Sequence, residues 1–78
     1  MPFFFFIWTD RAVQKIGDRD ISIDDVEEII SHPDSREISR STGHPVAIGQ
    51  TAAGRTLVCV YQHIDGDTVQ PITAFEIE

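Results

Sequence analysis

The groups in this chain that can do chemistry are few. His32, His44 and His63 are its three imidazoles, Tyr61 its one phenol and Cys59 its one thiol. Imidazole titrates near neutrality, so His44 or His63 is equipped to take the proton of an attacking ribose 2′-hydroxyl. Tyr61 can stack on a base or donate to a phosphate, although packing is the commoner task of a strand tyrosine. Arg55 carries a planar fork of donors that suits a phosphate held by two parallel bonds. At a strand start, however, an arginine serves equally to close a turn or pair with a carboxylate. Arg11 and Lys15 stand four residues apart, with Arg19 just beyond, and a positive stripe of that kind could track RNA phosphates. The plainer reading is a solvated helix face balanced by Asp10, Asp18 and Asp20.

Other chemistries find less support. No two histidines have the i, i+4 spacing of a metal pair, and one cysteine cannot build a thiolate site, so no metal is expected. A phosphate-cradling glycine loop, a nucleophile elbow and zinc-finger spacing are all missing from the sequence, and no cofactor is expected either. Cys59 sits in the apolar run Leu57-Val58-Cys59-Val60-Tyr61, which makes it a buried small hydrophobe rather than a nucleophile. Thirteen acids against six bases give a net charge of −7, which opposes non-specific attraction to nucleic acid. The aromatic stretch Phe3–Trp8 is far shorter than the ~20 residues a membrane span needs and lacks the basic lead of a signal peptide. A cytoplasmic protein without membrane contact is the expectation.

The elements that must position these groups follow from periodicity. Seventy-eight residues, 41% hydrophobic and 24% charged, describe one small folded domain for which a partner would be a natural source of extra stability. Phe3–Trp8 reads as a strand buried on both faces. Thr9 is placed to cap a helix over residues 10–17, with Ala12, Val13 and Ile16 on one face and Gly17 as its stop. Ser22 caps a second helix over residues 23–31, whose buried stripe is Val26, Ile29 and Ile30, and Pro33 ends it. His32 lies at that helix end, where a cation suits the negative pole of the dipole.

Beyond Pro33 the period changes from 3.6 to 2. Residues 35–41 read as an exposed or edge strand, Val46–Gly49 as another, and Arg55–Tyr61 as the central one. Asp65-Gly66-Asp67 is a hairpin turn in which glycine can take positive φ. The last strand covers residues 68–77, with Pro71 implying an edge position or a bulge. The fold class expected is α+β, with a short N-terminal strand and two helices packed on an antiparallel sheet of about four or five strands.

Two stretches carry a family likeness. The first is Trp8-Thr9-Asp10-Arg11-Ala12, then Asp18–Ser22, then Val26-Glu27-Glu28-Ile29-Ile30-Ser31-His32-Pro33. The second is Val46–Gln50, Gly54–Tyr61 and the closing Ile72-Thr73-Ala74. Together they resemble the BrnT-like toxins and related uncharacterised domains of the RelE-like toxin superfamily, along nearly the whole chain. The resemblance implies a type II toxin–antitoxin toxin, a metal-independent mRNA endoribonuclease neutralised by a cognate antitoxin protein. On that reading Arg55, His63 and Tyr61 are the catalytic candidates, while Arg11, Lys15 and Arg19 contact RNA. The chain departs from the family pattern where Ile16 follows Lys15, at Arg11, and at Phe75, each a place where relatives tend to carry a basic or titratable group. Those departures define the alternative, a non-catalytic module of the same fold that forms a homodimer or binds a protein partner.

Overall fold

Two side-chain caps start the helices. In the computed structural model, which describes residues 4–77, the Thr9 hydroxyl accepts the Ala12 N–H at 3.1 Å and opens α1 (Asp10–Asp18). The Ser22 hydroxyl does the same for the Asp25 N–H, also at 3.1 Å, and opens α2 (Ile23–Ser31). Each such cap is worth about 1 kcal/mol. α1 runs one residue beyond Gly17, and the chain then reverses at Asp20, whose φ of 58° is the left-handed conformation. The helices bury Ala12 and Ile16 from α1, and Val26, Ile29 and Ile30 from α2.

Five strands follow from the alternating segments: β1 (Phe5–Phe6), β2 (Ser35–Ile38), β3 (Pro45–Gln50), β4 (Thr56–His63) and β5 (Thr68–Ile77). They form one sheet in the order β1-β5-β4-β3-β2, with β4 in the middle. The sheet is mixed rather than wholly antiparallel, because β1 lies parallel to β5 through Phe5 opposite Thr68 and Phe6 opposite Val69. A parallel neighbour needs a long crossover, and here almost the whole chain lies between the two. β1 also departs from the expected doubly buried strand. It is two residues long at the sheet edge, with Phe5 61% exposed, while Phe4, Phe6 and Trp8 pack against the core. Phe3, the expected start of that strand, lies outside the described residues.

β1 flanks β5 only at Thr68 and Val69, so Pro71 lies where β5 is paired on one side alone. The register also shifts between Val60 and Tyr61, so that Tyr61 faces Pro71 at a bulge, and both settings tolerate a missing N–H. Gly66 does not take the positive φ expected of it. The glycines that do are Gly43 (φ 76°) and Gly54 (φ 86°), in the turns that lead into β3 and β4.

The helices cover one face of the sheet. Leu57, Cys59 and Tyr61 of β4, with Ala47 and Ala74 on the flanking strands, meet Ile16, Ile21, Val26, Ile29 and Ile30 in a continuous core. Gly49 belongs to this face too. A Cβ there would sit 3.3 Å from Ile29 Cγ2, so the glycine is what lets α2 close onto β3. Burying each of the large aliphatic side chains stabilises the fold by roughly 1.5–3 kcal/mol.

Candidate functional site

The chemical groups sort themselves to the two ends of β4. Arg55 precedes the strand and His63 closes it, and at ~3.3 Å per residue they stand about 26 Å apart. They therefore belong to different neighbourhoods.

At the first end every branch of the Arg55 guanidinium is engaged. Nε and Nη2 donate to Glu76 Oε1 at 3.1 and 3.0 Å, Nη1 donates to the Asp20 carbonyl at 2.6 Å, and Nη2 also reaches the Arg19 carbonyl at 3.3 Å. Asp20 is the left-handed residue, so Arg55 fastens the reversal between the two helices to the start of β4 and the end of β5. Arg19 completes the same network from its own side chain, donating to Thr73 Oγ1 at 3.0 Å and to the Ala74 carbonyl at 3.4 Å. Arg55 thus closes a turn and pairs with a carboxylate, and Arg19 is held against β5.

The other end is built differently. Tyr61 and His63 leave β4 toward the same face, two residues apart, with ring centroids 5.6 Å apart and nearly perpendicular planes. Phe4 lies against His63 at 6.4 Å, so the imidazole sits between two aromatic rings. Arg36 completes the group. Its Nη1 donates to the Tyr61 hydroxyl oxygen at 2.7 Å and its Nη2 to the Ile30 carbonyl at 3.2 Å, at the negative end of the α2 dipole. Since Tyr61 accepts from the guanidinium, its own hydroxyl proton is left to donate elsewhere. These residues line an open cleft of about 410 Å³, walled on its apolar side by Phe4, Ile38 and Pro45 and flanked by Glu37.

Arg36 is the member that sequence reasoning missed. The signal was present in β2, where Arg36 shares the parity of Ile38 and so stands opposite the buried Ala47 rather than on the outward face. Arg36 is exposed on this edge strand, and the end of α2 together with Tyr61 supplies it two acceptors.

The proposed RNA-contact residues divide. Arg11 and Lys15 line a second cleft of about 420 Å³ between α1 and β5, with Thr9, Gln70, Pro71 and Ile72. This cleft is on the opposite edge of the sheet from Arg36, and Arg19 is tied into the Arg55 network. His32 caps the end of α2, while His44 lies in the connection to β3, and neither joins the His63 cluster. Cys59 is fully buried in mid-strand, and burial pushes its thiol up to about 12, which removes any thiolate nucleophile. Among the described residues no group of three His, Cys, Asp or Glu side chains is arranged to hold a metal ion, and no helix is long and apolar enough to cross a membrane.

In chemical terms, the His63 end offers an exposed imidazole, a guanidinium and apolar walls for a planar ring. No protein-family model, curated protein or solved structure matches the chain.

Proposed function

We propose that this protein is an mRNA endoribonuclease of the BrnT-like, RelE-like toxin type, acting in the cytoplasm under the control of an antitoxin protein. The observation that supports this reading is the convergence of Arg36, Tyr61 and His63 on one cleft with aromatic and apolar walls. His63 takes the 2′-hydroxyl proton as that oxygen attacks phosphorus. Arg36 carries the charge that develops on the non-bridging oxygens, and the buried Tyr61 holds Arg36 in place. The P–O5′ bond breaks and the departing 5′-oxygen takes a proton from solvent water while His63 returns its own to solvent, leaving a 2′,3′-cyclic phosphate on one fragment and a 5′-hydroxyl on the other. Phe4 and His63 offer faces on which a splayed base can stack. Arg55 and Arg19 drop out of the chemistry, and Arg11 and Lys15 are left to guide a longer strand past α1.

The test is induction in a bacterial host together with cleavage of purified RNA in the presence of a chelator. Growth arrest, cyclic-phosphate ends and their loss in His63→Ala are expected. Normal growth and intact RNA at high protein concentration overturn the proposal in favour of a non-catalytic module, which the charge of −7 favours.

A further inference from the structure

A general base is usually oriented by a hydrogen bond from its second nitrogen to a carboxylate or carbonyl. Among the described residues no such bond holds the His63 ring, whose contacts are with two aromatic side chains. His63 is exposed at the end of β4, where an unrestrained side chain samples three χ1 wells and a broad χ2. The rings supply the restraint instead. Tyr61 is the first, 5.6 Å from the imidazole between centroids with its plane at 69°. Being 1% exposed and bonded to Arg36, it is a fixed wall. Phe4 is the second, at 6.4 Å and 57°. Phe4 is fixed in turn, edge-on to Phe6 at 6.3 Å, with both rings packed against the core. The backbone that follows it is pinned to the hairpin carrying His63. Phe5 N–H donates to the Asp67 carbonyl at 2.8 Å, and Ile7 N–H to the Val69 carbonyl at 2.9 Å. Val69 is the residue opposite His63 in the pairing of β4 with β5. Phe4 and His63 are therefore anchored on one short piece of backbone, although they lie near opposite ends of the chain.

We infer that Phe4 is a positioning residue for His63, and that β1, a strand of only two residues, serves to deliver its ring. The orientation stands on the geometry alone, whereas its consequence for rate rests on the ribonuclease reading. With the imidazole held at the cleft, the nitrogen that takes the 2′-hydroxyl proton needs no rotamer search at the moment of attack. Without Phe4 the ring is free on one side, and only a fraction of its conformers points at the substrate. That loss falls on kcat, because Arg36 still holds the phosphate. A Phe4 that served only as a stacking face for a base would act through KM instead.

Two measurements test this, one of them without RNA. The chain has three imidazoles, so His63 can be followed by NMR with His32 and His44 as internal references. In the wild type the His63 Hα–Hβ couplings should be those of a single χ1 well, with cross-relaxation between its ring and that of Tyr61. In Phe4→Ala the couplings should average and the cross-relaxation weaken, while the two references stay as they were. In RNA cleavage the same variant should lose roughly 5–100-fold in kcat, with KM within about twofold of wild type. Phe4→Tyr keeps the ring and should restore both readouts. Phe4→Leu keeps apolar bulk, so it should melt near the wild type yet remain low in kcat, which carries the test if the alanine variant does not fold. Unchanged His63 couplings in a folded Phe4→Ala or Phe4→Leu protein overturn the inference. So does a change in KM alone, or a kcat that leucine restores as fully as tyrosine. Wild-type protein that holds the His63 ring as expected but cleaves no RNA overturns the ribonuclease reading instead, and leaves the orientation by Phe4 standing.

Discussion

Arg55 and Arg36 are both arginines placed against the central strand, and their surroundings give them opposite tasks. Arg55 stands before β4 with four donor contacts, to a carboxylate and two backbone carbonyls, and its guanidinium has little left for a ligand. Arg36 makes two contacts at the far end, to the Tyr61 hydroxyl and the Ile30 carbonyl, and borders an open cleft. The difference is one of neighbours. Near Arg55 the chain reverses between two helices and offers unpaired carbonyls that need a donor, so the arginine fastens backbone to backbone. Near Arg36 the partners are a helix end and a phenol that faces an imidazole. A guanidinium is available for chemistry only where the fold has not already used its donors.

The sharpest way to break this contrast is to separate activity from stability at the two ends. His63→Ala should lower RNA cleavage by ~10²–10⁴-fold, the usual contribution of a positioned general base, with the melting temperature hardly moved because the side chain is exposed. Arg55→Ala should do the reverse, leaving cleavage by the folded fraction near the wild-type rate. A folded, inactive Arg55→Ala protein with an active His63→Ala protein would invert the assignment of the two ends. The next effect in size belongs to Arg36→Ala, which strands the buried Tyr61 hydroxyl and the Ile30 carbonyl and should cost up to about 3 kcal/mol in urea unfolding. Combining it with Tyr61→Phe sharpens the point. Once the hydroxyl is gone the arginine has less to satisfy, so the double variant should lose clearly less than the two single losses together.

Much of the fold was legible because it follows from short-range rules. Thr9 and Ser22 announce their helices by residue type, and α2 ends where Pro33 requires it. The alternation of Leu57, Cys59 and Tyr61 with Val58 and Val60 marks β4 as a strand with two faces. What was not legible depends on contacts between distant residues. The parallel pairing of β1 with β5 joins segments at opposite ends of the chain. The site was half legible for the same reason. His63 and Tyr61 are two residues apart on one strand and share a face by parity alone, whereas Arg36 arrives from β2 and Arg55 is removed by Glu76, twenty-one residues away in sequence. Residue type marked Arg55 as a phosphate binder, and the nearby acceptors that take up its donors lie far off in sequence.

Arg55→Ala should itself cost about 1–2 kcal/mol, since the pair with Glu76 is partly exposed and worth little while the carbonyl contacts at the helix reversal are harder to replace. Arg55→Lys should recover only a fraction, because one ammonium cannot span the carboxylate and two carbonyls at once.

Midway between the two ends lies the smallest effect, and it is a matter of pH. Cys59 is wholly buried among aliphatic neighbours, and burial raises its thiol from 9.0 to about 12. Below pH 9 the thiol is protonated in both folded and unfolded chains, and its contribution to stability does not depend on pH. Between 9 and 12 the unfolded chain releases that proton and the folded chain keeps it, so the unfolded state binds fewer protons and stability falls as pH rises. The expected slope is about 1.4 kcal/mol per pH unit. Urea midpoints at pH 8 and pH 10 should therefore diverge in the wild type and converge in Cys59→Ala, after allowance for the cavity that alanine leaves at both values. An equal loss in the two proteins would assign the alkaline instability to other titrating groups. A loss confined to the wild type would fix the middle of β4 as sealed core.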